Sequence, residues 1–119
     1  MGLVSLPLHI WDRELDSRLI FALFALNKGH PVLLGHEYNL KGLYTRFTNL
    51  FYYGAGRPIM SSRVKDWQQP VLERGGDVSL VFEEGLNDLR SCDAYRGITD
   101  ESISACSSIH TWFNEEIKY

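Results

Sequence analysis

The sequence predicts an α/β fold, a Rossmann-like three-layer sandwich on a mostly parallel sheet of about five strands. Two observations carry that expectation. The apolar runs Leu3 to Ile10 and Val32 to Leu34 are separated by Trp11 to Gly29, a stretch long enough to be the crossover that a parallel strand pair requires. Strand-like and helix-like stretches then keep alternating along the chain. With 119 residues, 45% hydrophobic and 23% charged, the composition is that of one globular domain over residues 1–119 with no linker-like segment inside it.

Strand one, LVSLPLHI, contains Pro7, which predicts an edge position or a strand that starts after the proline. In the helix that follows, Leu15, Leu19, Ala22, Leu23 and Leu26 have the spacing of one buried stripe, widened by Phe21 and Phe24. Gly29 supplies a left-handed stop and Pro31 prevents continuation. Strand two is Pro31 to Gly35, and Leu40, Leu43, Tyr44 and Phe47 allow a short helix after it. Strand three is Leu50 to Tyr53, leading into the turn Gly54-Ala55-Gly56-Arg57. A helix capped by Ser61 or Ser62 runs through Val64, Trp67, Val71 and Leu72, kinked or split by Pro70. After Gly75 and Gly76, the β-branched run Val78 to Phe82 is strand four. Residues 86–97 read as a loop or short helix, and a helix starting at Thr99 turns Ile103 and Cys106 toward the sheet. Ile109 to Phe113 is strand five, and NEEIKY opens a further helix that stops after barely one turn, so the chain reads as cut from something longer.

The formal charge of −3 argues against a general nucleic-acid binder and leaves small anionic ligands as candidates. Cys92 and Cys106 have neither CxxC nor paired-His spacing, which predicts reduced thiols and no zinc site. The N-terminal apolar run lacks a basic region and meets Asp12 too early for a signal peptide, and Ile20 to Leu26 is too short to span a bilayer. A cytoplasmic chain with at most peripheral membrane association is expected.

In open α/β sheets ligands bind beyond the carboxyl ends of the strands, which directs attention to Asp12, Arg13, Glu14 and Asp16 after strand one. Asp12 suits a helix cap, whereas Arg13 is disfavoured by the helix dipole and suggests an anion held nearby. Gly35 ends strand two, and Gly54, Gly56 and Arg57 after strand three read either as a phosphate-cradling turn or as plain punctuation. Glu83 and Glu84 follow strand four, and adjacent residues of an extended chain point opposite ways, so at most one of them faces a shared cleft. His9 and His110 read as core or strand-end residues, while His30 and His36 flank strand two within reach of a ligand. The aromatics read as packing, with Trp11 beside the charged turn the exception.

The run LPLHIWDRELDSRLIFALFALNKGHPVLLG, VFEEGL after a Gly-Gly pair, and an aromatic strand followed by Asn-Glu-Glu together resemble the N-terminal part of bacterial surface carbohydrate biosynthesis proteins. Members of that family look like two-lobed glycosyltransferases, distantly similar to enzymes that transfer Kdo or other nonulosonic sugars from CMP-activated donors. The resemblance implies that Arg13, Glu14 and Asp16 of R-E-L-D and Glu83 and Glu84 of E-E-G-L line an interlobe cleft. It also implies that this lobe holds a glycan acceptor while a second lobe, which this chain lacks, holds the nucleotide sugar; no cofactor is implied. Glu83 or Glu84 would act as general base or stabilise an oxocarbenium-like transition state, with Arg13 offsetting carboxylate or phosphate charge. A stand-alone flavodoxin-like nucleotide- or partner-binding module fits the alternation equally well. A structural interaction domain is a third reading, and it predicts an exposed apolar patch on the Phe-rich helix.

Overall fold

The computed structural model describes residues 2–55, 62–81 and 104–110. Five strands, β1 (Val4–Leu8), β2 (Val32–His36), β3 (Phe51–Ala55), β4 (Asp77–Val81) and β5 (Ser108–His110), form one all-parallel sheet in the order β2-β1-β3-β4-β5. Helix α1 (Trp11–Asn27) connects β1 to β2, and α3 (Ser62–Glu73) precedes β4. The short α2 (Glu37–Leu40) runs into a 3-10 turn, Lys41–Arg46, before β3. The α/β fold with its parallel sheet is therefore the one the sequence predicts, with the order of flavodoxin-like doubly wound sheets.

Alternation along the strands sorts the core into two layers. On one face Val4 and Leu6 of β1 meet Ala22 and Ala25 of α1, flanked by Val32, Leu34, Phe51, Tyr53 and Phe21. On the other, Tyr52, Val78 and Leu80 meet Leu40, Tyr44, Leu50 and Val71. The Tyr44 hydroxyl shares a 3.0 Å hydrogen bond with Ser5 Oγ, and its ring packs edge-on against Tyr52 at 5.8 Å. Burial pushes the Tyr44 phenol up to about 12 and the Tyr52 phenol up as well.

Pro7 is not at an edge: β1 lies between β2 and β3 and includes the proline. The Val4 amide donates toward the β2 side, to the Pro31 carbonyl, so the two-residue period turns the nitrogen of Pro7 toward β3. There the β1–β3 pairing covers only Val4 with Phe51 and Ser5 with Tyr52, whereas β1–β2 pairing runs through to Leu8 and His36. The missing donor falls where the ladder has already ended. This also loosens β1 from β3 on the carboxyl side, at the point where the chain reverses its direction of travel across the sheet.

Helix α1 packs with a face other than the expected one. Glu14, Arg18, Ala22 and Ala25 are buried, whereas Leu19, Ile20, Leu23, Phe24 and Leu26 are exposed. Positions 14, 18, 22 and 25 also form a helical stripe, and its two alanines let the helix lie close to Val4 and Leu6. The predicted stop holds: Gly29 has φ +85°, its amide donates to the Leu26 carbonyl, and that of His30 donates to Ala25, the two bonds of a Schellman cap.

Smaller differences lie at element ends. Strand β3 runs on through Gly54 and Ala55, so Gly54 belongs to the sheet and not to a turn. Pro70 sits inside one continuous helix, which it neither splits nor ends. Strand β5 begins at Ser108, and Cys106 just before it packs against the Tyr52 layer, where burial raises its thiol pKa. Cys92, Ile103 and the expected last helix lie outside the described residues.

Candidate ligand site at the carboxyl edge of the sheet

Strand β1 ends at Leu8, and His9 and Ile10 make the turn into α1. No side chain caps the helix at Ile10, and Asp12, the predicted cap, is exposed within the first turn. Glu14 does the holding instead. Its Oε2 accepts from the backbone amides of His9 at 2.5 Å and Ile10 at 2.9 Å, so a fully buried carboxylate fixes the turn from inside. The Arg13 guanidinium lies 3.6 Å from the other oxygen of Glu14 and is partly exposed. One helical turn further on, buried Arg18 donates to Ser17 Oγ and lies 5.1 Å from the centroid of the Tyr53 ring.

The turn held by Glu14 presents His9. Its Nδ1 lies 2.7 Å from Oε1 of Glu37, the residue immediately after β2. The imidazole is 51% exposed and the carboxylate 7%. A carboxylate only accepts, so Nδ1 carries a proton, and in the neutral ring the lone pair is on Nε2. β1 and β2 are adjacent and in register to their carboxyl ends, Leu8 opposite His36, which places the next residue of each strand side by side. The arrangement is that of an oriented general base, a half-exposed imidazole fixed by a buried acid.

Around this pair the edge is aromatic and cationic. Trp11, Ile10 and Tyr38 are exposed, the His36 and Tyr38 rings stack at 5.3 Å, and Lys41 Nζ lies 5.3 Å from the Tyr38 centroid. At the far side of β3, Tyr53 stacks on Phe21 at 4.5 Å and meets His110 edge-on at 6.1 Å. His110 Nε2 is 3.3 Å from Ser108 Oγ, which also bonds Ser79 Oγ. Among the described residues no group of three or more His, Cys, Asp or Glu is placed to hold a metal ion.

The sequence candidates divide. Arg13 and Glu14 stand at the carboxyl edge, Glu14 as the buried holder of the turn. Asp16 is exposed on the side of α1 away from Glu14 and Arg18. Gly35 lies within β2, opposite Pro7, where a Cβ would make only ordinary contact with Leu40. Gly54 is required by packing, since a Cβ there would come within 2.8 Å of the Tyr52 ring. Gly56, Arg57, Glu83 and Glu84 lie outside the described residues. His30 precedes β2, at the amino edge of the sheet, where its Nδ1 accepts from the Gly2 amide, so it is remote from the crevice.

In the sequence alone His9 reads as a core or strand-end residue, and nothing singles out Glu37. The available signal was their equivalence: each is the first residue or two beyond one of two adjacent strands, 28 positions apart. No helix among the described residues is long and apolar enough to cross a membrane. No protein-family model, curated protein or solved structure matches this chain.

Proposed function

We propose that this chain is the acceptor-side lobe of a glycosyl-transferring protein of surface polysaccharide assembly, in which His9 is the general base. The observation that carries the reading is the 2.7 Å contact between half-exposed His9 and buried Glu37 at the carboxyl edge of the sheet. Glycosyl transfer needs such a group. His9 Nε2 takes the proton of an acceptor hydroxyl while that oxygen bonds to the anomeric carbon of the donor, and the sugar–phosphate bond breaks with its electron pair leaving on the nucleotide. Glu37 holds the ring in the competent tautomer, and Arg13 draws a carboxylate or phosphate of the substrates to the rim. Glu83 and Glu84 keep the second of the roles the resemblance implies, stabilising positive charge on the donor sugar. The donor nucleotide belongs to a second lobe, so transfer needs both.

A second reading is favoured by the strand order β2-β1-β3-β4-β5, whose reversal between β1 and β3 is where flavodoxin-like domains bind nucleotides. The two separate in one titration of the ring signals of His9 by NMR. An acidic oligosaccharide is expected to shift them, and Glu37→Gln to weaken that response. A shift with CMP and none with the oligosaccharide would favour the nucleotide-binding module. Silence toward both would overturn both readings.

A further inference from the structure

Helix α1 turns its larger apolar side chains outward. Leu23 and Phe24 are 66% and 67% exposed, with Ile20, Leu26 and Leu19 beside them. The exposed parts of these five side chains amount to roughly 500 Å², as large as the largest patch on a typical monomer, and such patches mark interaction sites. The charges around the patch are not symmetric along the helix. Asp12 and Asp16 are exposed at its amino end beside Arg13, which leans on Glu14, and Lys28 is exposed immediately after its last turn.

That polarity is self-complementary. When two copies of α1 cross antiparallel about Ala22, position 16 of one faces position 28 of the other and position 20 faces position 24. Asp16 then meets Lys28 twice, Ile20 meets Phe24 twice, and Leu23 of each copy lies beside the axis. The helix dipoles oppose favourably as well. A parallel pairing would set Asp12 and Asp16 against their own copies. An isologous contact of this kind repeats every favourable pair, as closed dimers require. The polar flanks of Asp16, Asn27 and Lys28 add to the apolar patch toward the roughly 800 Å² per partner of a standard interface.

We propose that the outward face of α1 is the interface of a two-fold dimer, in which a second copy of this chain lays its own α1 antiparallel across Ile20, Leu23, Phe24 and Leu26 and pairs Lys28 with Asp16. The inference is independent of the reaction proposed for His9.

Sedimentation velocity over a rising micromolar concentration series tests it. The wild-type chain is expected to move from the mass of one copy, 13.7 kDa, to twice that value. Leu23→Glu places a charge at the axis and is expected to weaken association at least about tenfold, with its circular dichroism unchanged because the residue faces solvent. Asp16→Lys alone is expected to weaken the dimer and Asp16→Lys with Lys28→Asp to restore it. A chain that stays monomeric throughout, or a dimer indifferent to Leu23→Glu, would overturn the proposal. A dimer in which the double charge reversal fails to rescue the single one would overturn the antiparallel pairing.

Discussion

Glu14 and Tyr44 show how much a single buried polar group decides. The Glu14 carboxylate takes two amides that the turn leaves without helical partners, and Ala at this position would remove both bonds. Glu14→Ala is expected to cost about 2–4 kcal/mol in urea denaturation, the loss of two hydrogen bonds to a charged group; a loss below about 0.5 kcal/mol would mean that the turn holds itself. Tyr44 makes the opposite kind of statement, through its proton. The native phenol ionises only near about 12, because burial disfavours the anion, while an unfolded tyrosine ionises near 10. Stability is therefore complete below pH 10 and falls as pH rises from 10 to about 12, since only the unfolded chain releases this proton there. The slope is about 1.4 kcal/mol per pH unit for one such group. Tyr44→Phe should remove that group's share of the alkaline slope, leaving the share of Tyr52, which shifts in the same direction; an unchanged slope in denaturation series at alkaline pH would contradict it.

At the scale of the element, α1 shows where periodicity informs and where it misleads. The helix and its glycine stop were legible, because a capping glycine and a following proline are local chemistry, whereas its start at Trp11, ahead of the expected Asp12 cap, was not. Which side faces the sheet was not legible. Two apolar stripes compete in this sequence, and the larger one, with Leu19, Leu23 and Leu26, is what a hydrophobicity rule selects. The sheet takes the smaller one because Ala22 and Ala25 allow close approach, and because Glu14 and Arg18 on that side serve the turn and Tyr53. Ala25→Leu is accordingly expected to lift the helix from Val4 and Leu6 at a cost of about 1–3 kcal/mol. Leu23→Ser, on the outer side, should change the stability of the isolated copy by no more than about 0.5 kcal/mol. Denaturation of both variants at a concentration that keeps the chain monomeric decides the matter; the reverse order of effects would place the wrong face against the sheet.

The whole molecule was the most legible level and the site the least. Alternating strands and crossovers predicted the parallel sheet, but the central place of Pro7 depends on where the β1–β3 ladder stops, a long-range fact with no local signal. The site followed the same logic. His9 and Glu37 are ordinary strand-end residues until β1 and β2 come into register, and only then do they form a pair. The sheet should also be unequal in its resistance to opening. Its β1, β3 and β4 strands have residues buried below 2% exposure, while β2 is half-buried at an edge and β5 has three residues. Hydrogen exchange is expected to be slowest in β1, β3 and β4 and faster in β2 and β5; uniform protection across all five strands would contradict this picture of the core.

The functional account rests on His9 being a base held by Glu37, and the tautomer of its ring tests that most directly. Nitrogen-15 NMR of the imidazoles at a pH where His9 is neutral should show Nδ1 protonated and Nε2 bare, with that preference lost in Glu37→Gln. A proton on Nε2 in the wild-type chain, or a ring indifferent to Glu37→Gln, would contradict it.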